Sequence, residues 1–252
     1  MNQPVLQVQD LSVSFGLMPI LRGIDLALAA GERLAVIGPN GAGKSTLFNV
    51  ISGALAPSAG DVRLRGRSIT GQPPHAIARL GLGRSFQISQ LFEQLSVAEH
   101  LRIASLQALG LRADGWRAMR GKLSELPAVR PALESWLQRL DLADQQHSRP
   151  AQLSYAQQRM LELGITLAAE PQVVLLDEPT AGLSRSETER FVRQLRALTQ
   201  GRALMLVEHD MQVVFELADR VAVLHEGQLL ACGTPDQVRN DAAVRGIYLG
   251  AL

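Results

Sequence analysis

The sequence predicts an α/β fold that joins two kinds of sheet and carries a helical insertion, and three observations lead there. In "RLAVIG", "VVLLDE" and "ALMLVEHD", short apolar runs are each followed by a helical segment, the pattern of parallel strands covered on both faces. In "LQVQDLSVSF", "IDLALAAG" and "DVRLRGRSI", apolar and polar residues alternate between turn residues, as in an antiparallel sheet with one wet face. Between these groups, "SVAEHLRIASLQAL" and "PALESWLQRLDL" show helical spacing from Ser96 to Leu142, around a basic Gly-containing loop.

Taken in order, the first alternating strand runs to Phe15, the second precedes Gly31, and the apolar run "RLAVI" leads through "GPNGAGKST" into a helix, "KSTLFNVISG". The strand "DVRLRGRSI" comes next, then the helical insertion. "PAQLSYAQQRMLELGITLAAEP" reads as an amphipathic helix with Ser154 at its start and Pro171 beyond its end. With this helix included, the helical subdomain covers about 90–165. "RVAVLHEGQLLACG" reads as a hairpin turning at Glu226-Gly227, and a helical extension of two short pieces occupies about 235–252. The sequence contains no internal repeat, so a single domain over 1–252 is expected.

Hydrophobic residues make up 46% of the 252 and aromatics only 4%, so aliphatic side chains must fill the core. A net charge of +1 argues against a nucleic-acid-binding surface, which needs many Lys and Arg against phosphates. Arg112, Arg117, Arg120, Lys122 and Arg130 cluster, and are read as a solvated loop. Cys232 is the one cysteine, which excludes an intrachain disulfide and suits a reducing compartment. The start "MNQPVLQVQDLSV" lacks the features of a signal peptide, and no apolar run approaches the ~20 residues needed to span a bilayer. A soluble or peripheral chain is expected.

Gly38-Pro39-Asn40-Gly41-Ala42-Gly43-Lys44-Ser45-Thr46 follows a strand and opens a helix, the context of a phosphate-binding P-loop. Its glycines let backbone N–H groups curl toward phosphate oxygens, where the helix N-terminus adds favourable potential. Lys44 supplies a charge for the β- and γ-phosphates, and Ser45 a hydroxyl for Mg²⁺, a hard cation that prefers oxygen. The run "VVLLDEP" brings Asp177 to the end of a strand, suited to Mg²⁺, and Glu178 beside it, suited to orient or deprotonate an attacking water. These two motifs alone fit a kinase or a GTPase as well.

Added to them are Gln87 in "GRSFQ", "LSYAQ" at Leu153 to Gln157, "AGLS" at Ala181 to Ser184 and "EHD" at Glu208 to Asp210. In this order the chain resembles an ABC-transporter ATPase subunit along nearly its whole length. The resemblance implies a P-loop NTPase core of RecA-like type, with an antiparallel β subdomain and an inserted α-helical subdomain. It implies ATP and Mg²⁺ as cofactors, Glu178, His209 and Gln87 as catalytic residues, and Ser45, Gln87 and Asp177 toward the metal. Phe15 is similar to the aromatic that stacks on adenine, although a lone Phe also fits a core. His209 is similar to the histidine that senses the γ-phosphate.

In that family the segment usually written Leu-Ser-Gly-Gly-Gln opens a helix that faces ATP held by a second subunit, so Ser154, Tyr155, Ala156 and Gln157 are implied to act on a partner's nucleotide. Capping alone would also explain Ser154. This sequence departs from the pattern at Tyr155 and Ala156, where phosphate binding persists only if the backbone needs no positive φ. It departs again at Ser184, where an aspartate is common.

"GLGRSFQISQLFEQLSVAEHL" and "VRNDAAVRGIYLG" resemble the ATPases of branched-chain and hydrophobic amino-acid importers, and urea, amide and lipopolysaccharide-export ATPases share parts of the ending. The resemblance implies a head-to-tail dimer with an identical or sister ATPase, transmembrane permeases, indirectly a solute-binding protein, and a peripheral place on the cytoplasmic face of the membrane. Ile88, Leu91 and Phe92 are expected either to receive a short permease helix or to pack inside the helical subdomain. A soluble ABC ATPase of DNA repair or translation is the rival of another class; it usually carries a coiled-coil insertion or two nucleotide domains, and this chain has one P-loop and a short insertion. A phosphotransferase would need an acceptor site, for which the sequence offers no candidate.

Overall fold

The structure, a computed structural model, describes residues 3–85, 91–108 and 129–248. Two compact units divide the chain, one of 1–84, 172–178 and 200–252, the other of 85–171 and 179–199. The strands are β1 (Leu6–Phe15), β2 (Met18–Leu28), β3 (Arg33–Ile37), β4 (Ala59–Leu64), β5 (Arg67–Ser68), β6 (Leu82–Arg84), β7 (Val173–Asp177), β8 (Ala203–Val207), β9 (Arg220–His225) and β10 (Gln228–Gly233). The helices are α1 (Lys44–Ile51), α2 (Pro74–Arg79), α3 (Val97–Ala108), α4 (Val129–Arg139), α5 (Tyr155–Ala168), α6 (Arg185–Leu198), α7 (Met211–Leu217), α8 (Pro235–Asn240) and α9 (Ala242–Tyr248).

Among the described residues all the strands belong to the first unit, in two sheets ordered β2-β1-β4-β5 and β10-β9-β3-β8-β7-β6. The first is antiparallel, and every second residue of β1 from Leu6 to Val8 and again from Leu11 to Val13 is buried, which is why its sequence alternates. In the second sheet β9, β3, β8, β7 and β6 run parallel, and β10 returns antiparallel along the edge. Every residue of β7 and β8 is buried, so neither has a wet face to mark with polar residues. Leu47, Phe48, Val50 and Ile51 of α1 complete this core, each large apolar side chain contributing about 1.5–3 kcal/mol by leaving water.

Two expectations are corrected. The second strand begins at Met18 rather than Ile24, since its first residues pair with the end of β1 through Phe15↔Met18. "DVRLRGRSI" is two strands, because Arg65 and Gly66 take φ of 54° and 77° and fold β5 back on β4. The short β6 and α2 carry too few residues to show a period and were not anticipated. The expected hairpin turn does lie at Glu226-Gly227, with φ of 48° and 77°.

In the second unit α3 packs against α4 and α5, and α5 against α6. Ser96 starts α3 by donating its N–H to Glu99 Oε2 at 2.7 Å. Arg112, Arg117, Arg120 and Lys122 lie outside the described residues. Among the described residues no helix is long and apolar enough to cross a membrane.

Candidate functional site

The parallel sheet gathers its polar residues at the C-terminal ends of β3, β7 and β8, where an open α/β sheet binds ligands. After β3 the chain curls through Gly38 to Gly43 into α1. A Cβ on Gly38 would stand 2.2 Å from the carbonyl oxygen of Leu224, so only glycine lets this loop lie against β9. Lys44, the first residue of α1, donates from Nζ to the carbonyls of Gly38 at 2.7 Å and Pro39 at 3.0 Å. Burial pushes its pKa down, while the charges of Glu178 and Asp177 push it back up. The loop thus holds a cation and a free helix N-terminus side by side, with Ser45 exposed at the first turn.

Asp177 ends β7 and is buried, with Oδ2 3.7 Å from Arg84 Nη2. Burial raises its pKa first of all, against the lowering influence of Arg84. Its Oδ1 is buried without a hydrogen-bond partner. Such an orphaned carboxylate oxygen is costly unless a cation takes it, and Asp177 and Ser45 both offer oxygen, the donor chemistry that suits Mg²⁺.

Glu178 follows in the left-handed region at φ 49°, a strained conformation for a residue with a side chain. Its N–H donates to Val207 O at 2.9 Å, which ties it to the end of β8. Its Oε1 lies 2.8 Å from His209 Nε2, and both side chains remain partly open to solvent. The arrangement pairs a carboxylate that can accept a proton with an imidazole that can orient it. Asp210 then caps α7 by accepting from Gln212 N at 2.8 Å.

Phe15, at the end of β1, is 56% exposed, a position that the core alternative does not explain. In the second unit Ser154 begins α5 with a reciprocal cap: its N–H donates to Gln157 Oε1 at 2.9 Å and its Oγ accepts from Gln157 N at 3.3 Å. Neither Tyr155 nor Ala156 has a positive φ, so the backbone imposes no need for glycine there. Gln87 and Ile88 lie outside the described residues.

Arg84 was not singled out from the sequence. It reaches Ser52 Oγ at 2.6 Å and Phe48 O at 3.3 Å as well as Asp177, and so links the end of α1 to β7. Only the pairing of β6 with β7 brings it there, and no local pattern announces that pairing.

Residues 21–181 match the family described as ABC transporter. This chain belongs to that family. Residues 228–251 also match a family described as branched-chain amino acid ATP-binding cassette transporter. The high-affinity branched-chain amino acid transport ATP-binding protein LivG of Escherichia coli is 36% identical, with 99% of each chain covered. BraF of Pseudomonas aeruginosa, of the same description, is 35% identical with 99% of each chain covered. The lipopolysaccharide export system ATP-binding protein LptB of Acidithiobacillus ferridurans is 33% identical, covering 98% of this chain and 97% of its own. Among solved structures, the ADP conformation of an ATP-binding cassette of an ABC transporter superposes with a TM-score of 0.84 at 27% identity, covering 99% of this chain and all of the other. ABC ATPases bind and hydrolyse ATP to power transport, and members of the family work as dimers with membrane permeases. The α/β architecture with a P-loop NTPase core is therefore the fold of this ABC ATPase.

Proposed function

We propose that this ABC ATPase powers the uptake of branched-chain or other hydrophobic amino acids through permeases at the inner face of the cell membrane. The observation that carries the substrate class is the match of residues 228–251 to the branched-chain amino acid cassette, and the full-length likeness to LivG and BraF agrees with it. A solute-binding protein delivers the substrate to the permeases and does not touch this chain. The likeness to LptB favours a second reading, lipopolysaccharide export.

In the proposed mechanism the P-loop N–H groups and Lys44 hold the ATP phosphates, Lys44 exchanging the carbonyls of Gly38 and Pro39 for phosphate oxygens. Phe15 stacks on adenine. Asp177, Ser45 and Gln87 would hold Mg²⁺, which when bound would neutralise charge on the phosphate oxygens. Glu178 accepts the proton of the attacking water, and His209 orients Glu178 and contacts the γ-phosphate. Ser154 and the first N–H groups of α5, with Tyr155, Ala156 and Gln157 in that turn, face the nucleotide of a second subunit, identical or sister.

Leu91 lines a cleft of about 830 Å³ with Glu93, Gln94, Arg149, Gln152 and Gln158, and Phe92 nearby is 65% exposed. These residues suit the seat of a permease helix better than an interior role. Leu91→Glu and Phe92→Glu are expected to abolish co-purification with the permeases while ATP binding persists. Loss of folding in both variants, followed by circular dichroism, would return these residues to a packing role. For the whole reading, vesicles carrying the permeases and this subunit should accumulate leucine when ATP is inside and a solute-binding protein outside. ATPase activity raised by lipopolysaccharide, with no leucine uptake, would replace import by export.

A further inference from the structure

The Tyr155 side chain stands on the first turn of α5 yet turns away from the helix end that it helps to form. Its hydroxyl donates to the carbonyl of Ala181 at 3.0 Å and accepts from Arg159 Nε at 2.9 Å. The Arg159 guanidinium also lies 5.1 Å from the Tyr155 ring centroid and pairs with Glu162 at 3.1 Å. Arg159 and Glu162 are nearly buried, at 10% and 12% side-chain exposure, so the phenol is backed by a held cation rather than a mobile one.

What the phenol grips is the middle of a β-turn. Leu183 N–H closes the turn on Thr180 O at 3.1 Å, and Gly182, its third residue, has φ 82°. The Ala181 carbonyl belongs to the central peptide, the unit that reverses between the two commonest turn types, and glycine at the third position makes both affordable. A Cβ on Gly182 would meet Tyr155 Cε1 at 3.0 Å, so the ring also sits directly on this peptide. The turn runs into Ser184, which starts α6 by donating its N–H to Glu187 Oε2 at 2.8 Å.

We infer that Tyr155 is a positioning residue: its hydroxyl holds the 181–182 peptide in one of two orientations, and so fixes the start of α6 relative to the start of α5. The two helix starts are then presented together when a second subunit closes. This rests on the proposed reading that Ser154 faces a partner's nucleotide, and the contact lies wholly within the second unit. It also commits the phenol to the turn, leaving Ser154 and backbone N–H groups for the phosphate.

Tyr155→Phe tests it, because the ring stays and only the hydroxyl goes. Removal of one hydrogen bond should shift the turn equilibrium about two- to tenfold. In the monomer the nuclear Overhauser contact between Ala181 Hα and Gly182 N–H, close in the present turn and distant in the reversed one, should weaken as the reversed turn gains population by that factor. ATP-dependent dimerisation in a Glu178→Gln background should weaken, and kcat fall, by a similar factor, with the KM for ATP and the melting temperature held. An unweakened contact between Ala181 and Gly182 overturns the grip on the turn. A weakened contact with unaltered dimerisation and kcat overturns its role in closure. If instead Ser154→Arg removes ATP binding from the folded monomer, the partner-facing reading itself fails, whatever Tyr155→Phe does.

Discussion

Glu178→Gln is expected to bind ATP as the parent does and to lose hydrolysis by about 10²–10⁴-fold, the range that a positioned general base contributes. The amide keeps the shape of the carboxylate and can still meet His209 Nε2, now 2.8 Å from Oε1, but it cannot accept a proton. The backbone at φ 49° is as accessible to glutamine as to glutamate, so the fold should not respond. With closure permitted and turnover blocked, ATP should trap the dimer. Binding, turnover and size measured on one preparation decide the matter. Turnover within a few fold of the parent would take Glu178 out of the catalytic role and point to His209 or another group.

Ser154→Arg and Lys44→Ala should each abolish turnover, at different steps. Lys44→Ala removes a charge from the phosphate site and should weaken ATP binding roughly 10- to 100-fold, the worth of a hydrogen bond to a charged group. Ser154→Arg leaves the P-loop intact, so the monomer should bind ATP normally, but the new side chain blocks the approach to the N-terminus of α5. Mixing the two inactive variants should restore ATP-dependent dimers, since one heterodimer site combines an intact Lys44 with an intact Ser154. A subunit carrying both substitutions, mixed with the parent, damages every heterodimer site and serves as control. Dimerisation is measured beside hydrolysis, because strict cooperation between two sites could silence turnover in a dimer that still closes. Recovery in the control as well as in the mixture would show that Ser154 and Lys44 do not meet across the dimer.

Much of this was legible because the decisive chemistry is local in sequence. The P-loop is a run of consecutive residues in which strand, turn and helix each leave a mark, and Asp177 with Glu178 closes a short apolar run that reads as a buried strand. The alternation in β1 and the hairpin at Glu226-Gly227 were readable for the same reason, a repeat of two or a pair of turn residues. The hairpin within "DVRLRGRSI" was missed because the strand after its Arg65-Gly66 turn, β5, has only two residues, too few to show an alternation.

The sequence by itself determined the class of chemistry, an oxygen-rich phosphate site at the ends of parallel strands, since each part needs only neighbours a few residues away. Tertiary structure decided which groups meet. It left Asp177 Oδ1 buried and unpartnered, set Arg84 beside that carboxylate, brought His209 to Glu178 across adjacent strands, and laid Tyr155 on the turn at Ala181. The physical reason is one of range: caps, turns and strand periods are settled by local backbone geometry. Hydrogen bonds between residues far apart in the chain exist only after strand order and helix packing have brought their partners within about 3 Å.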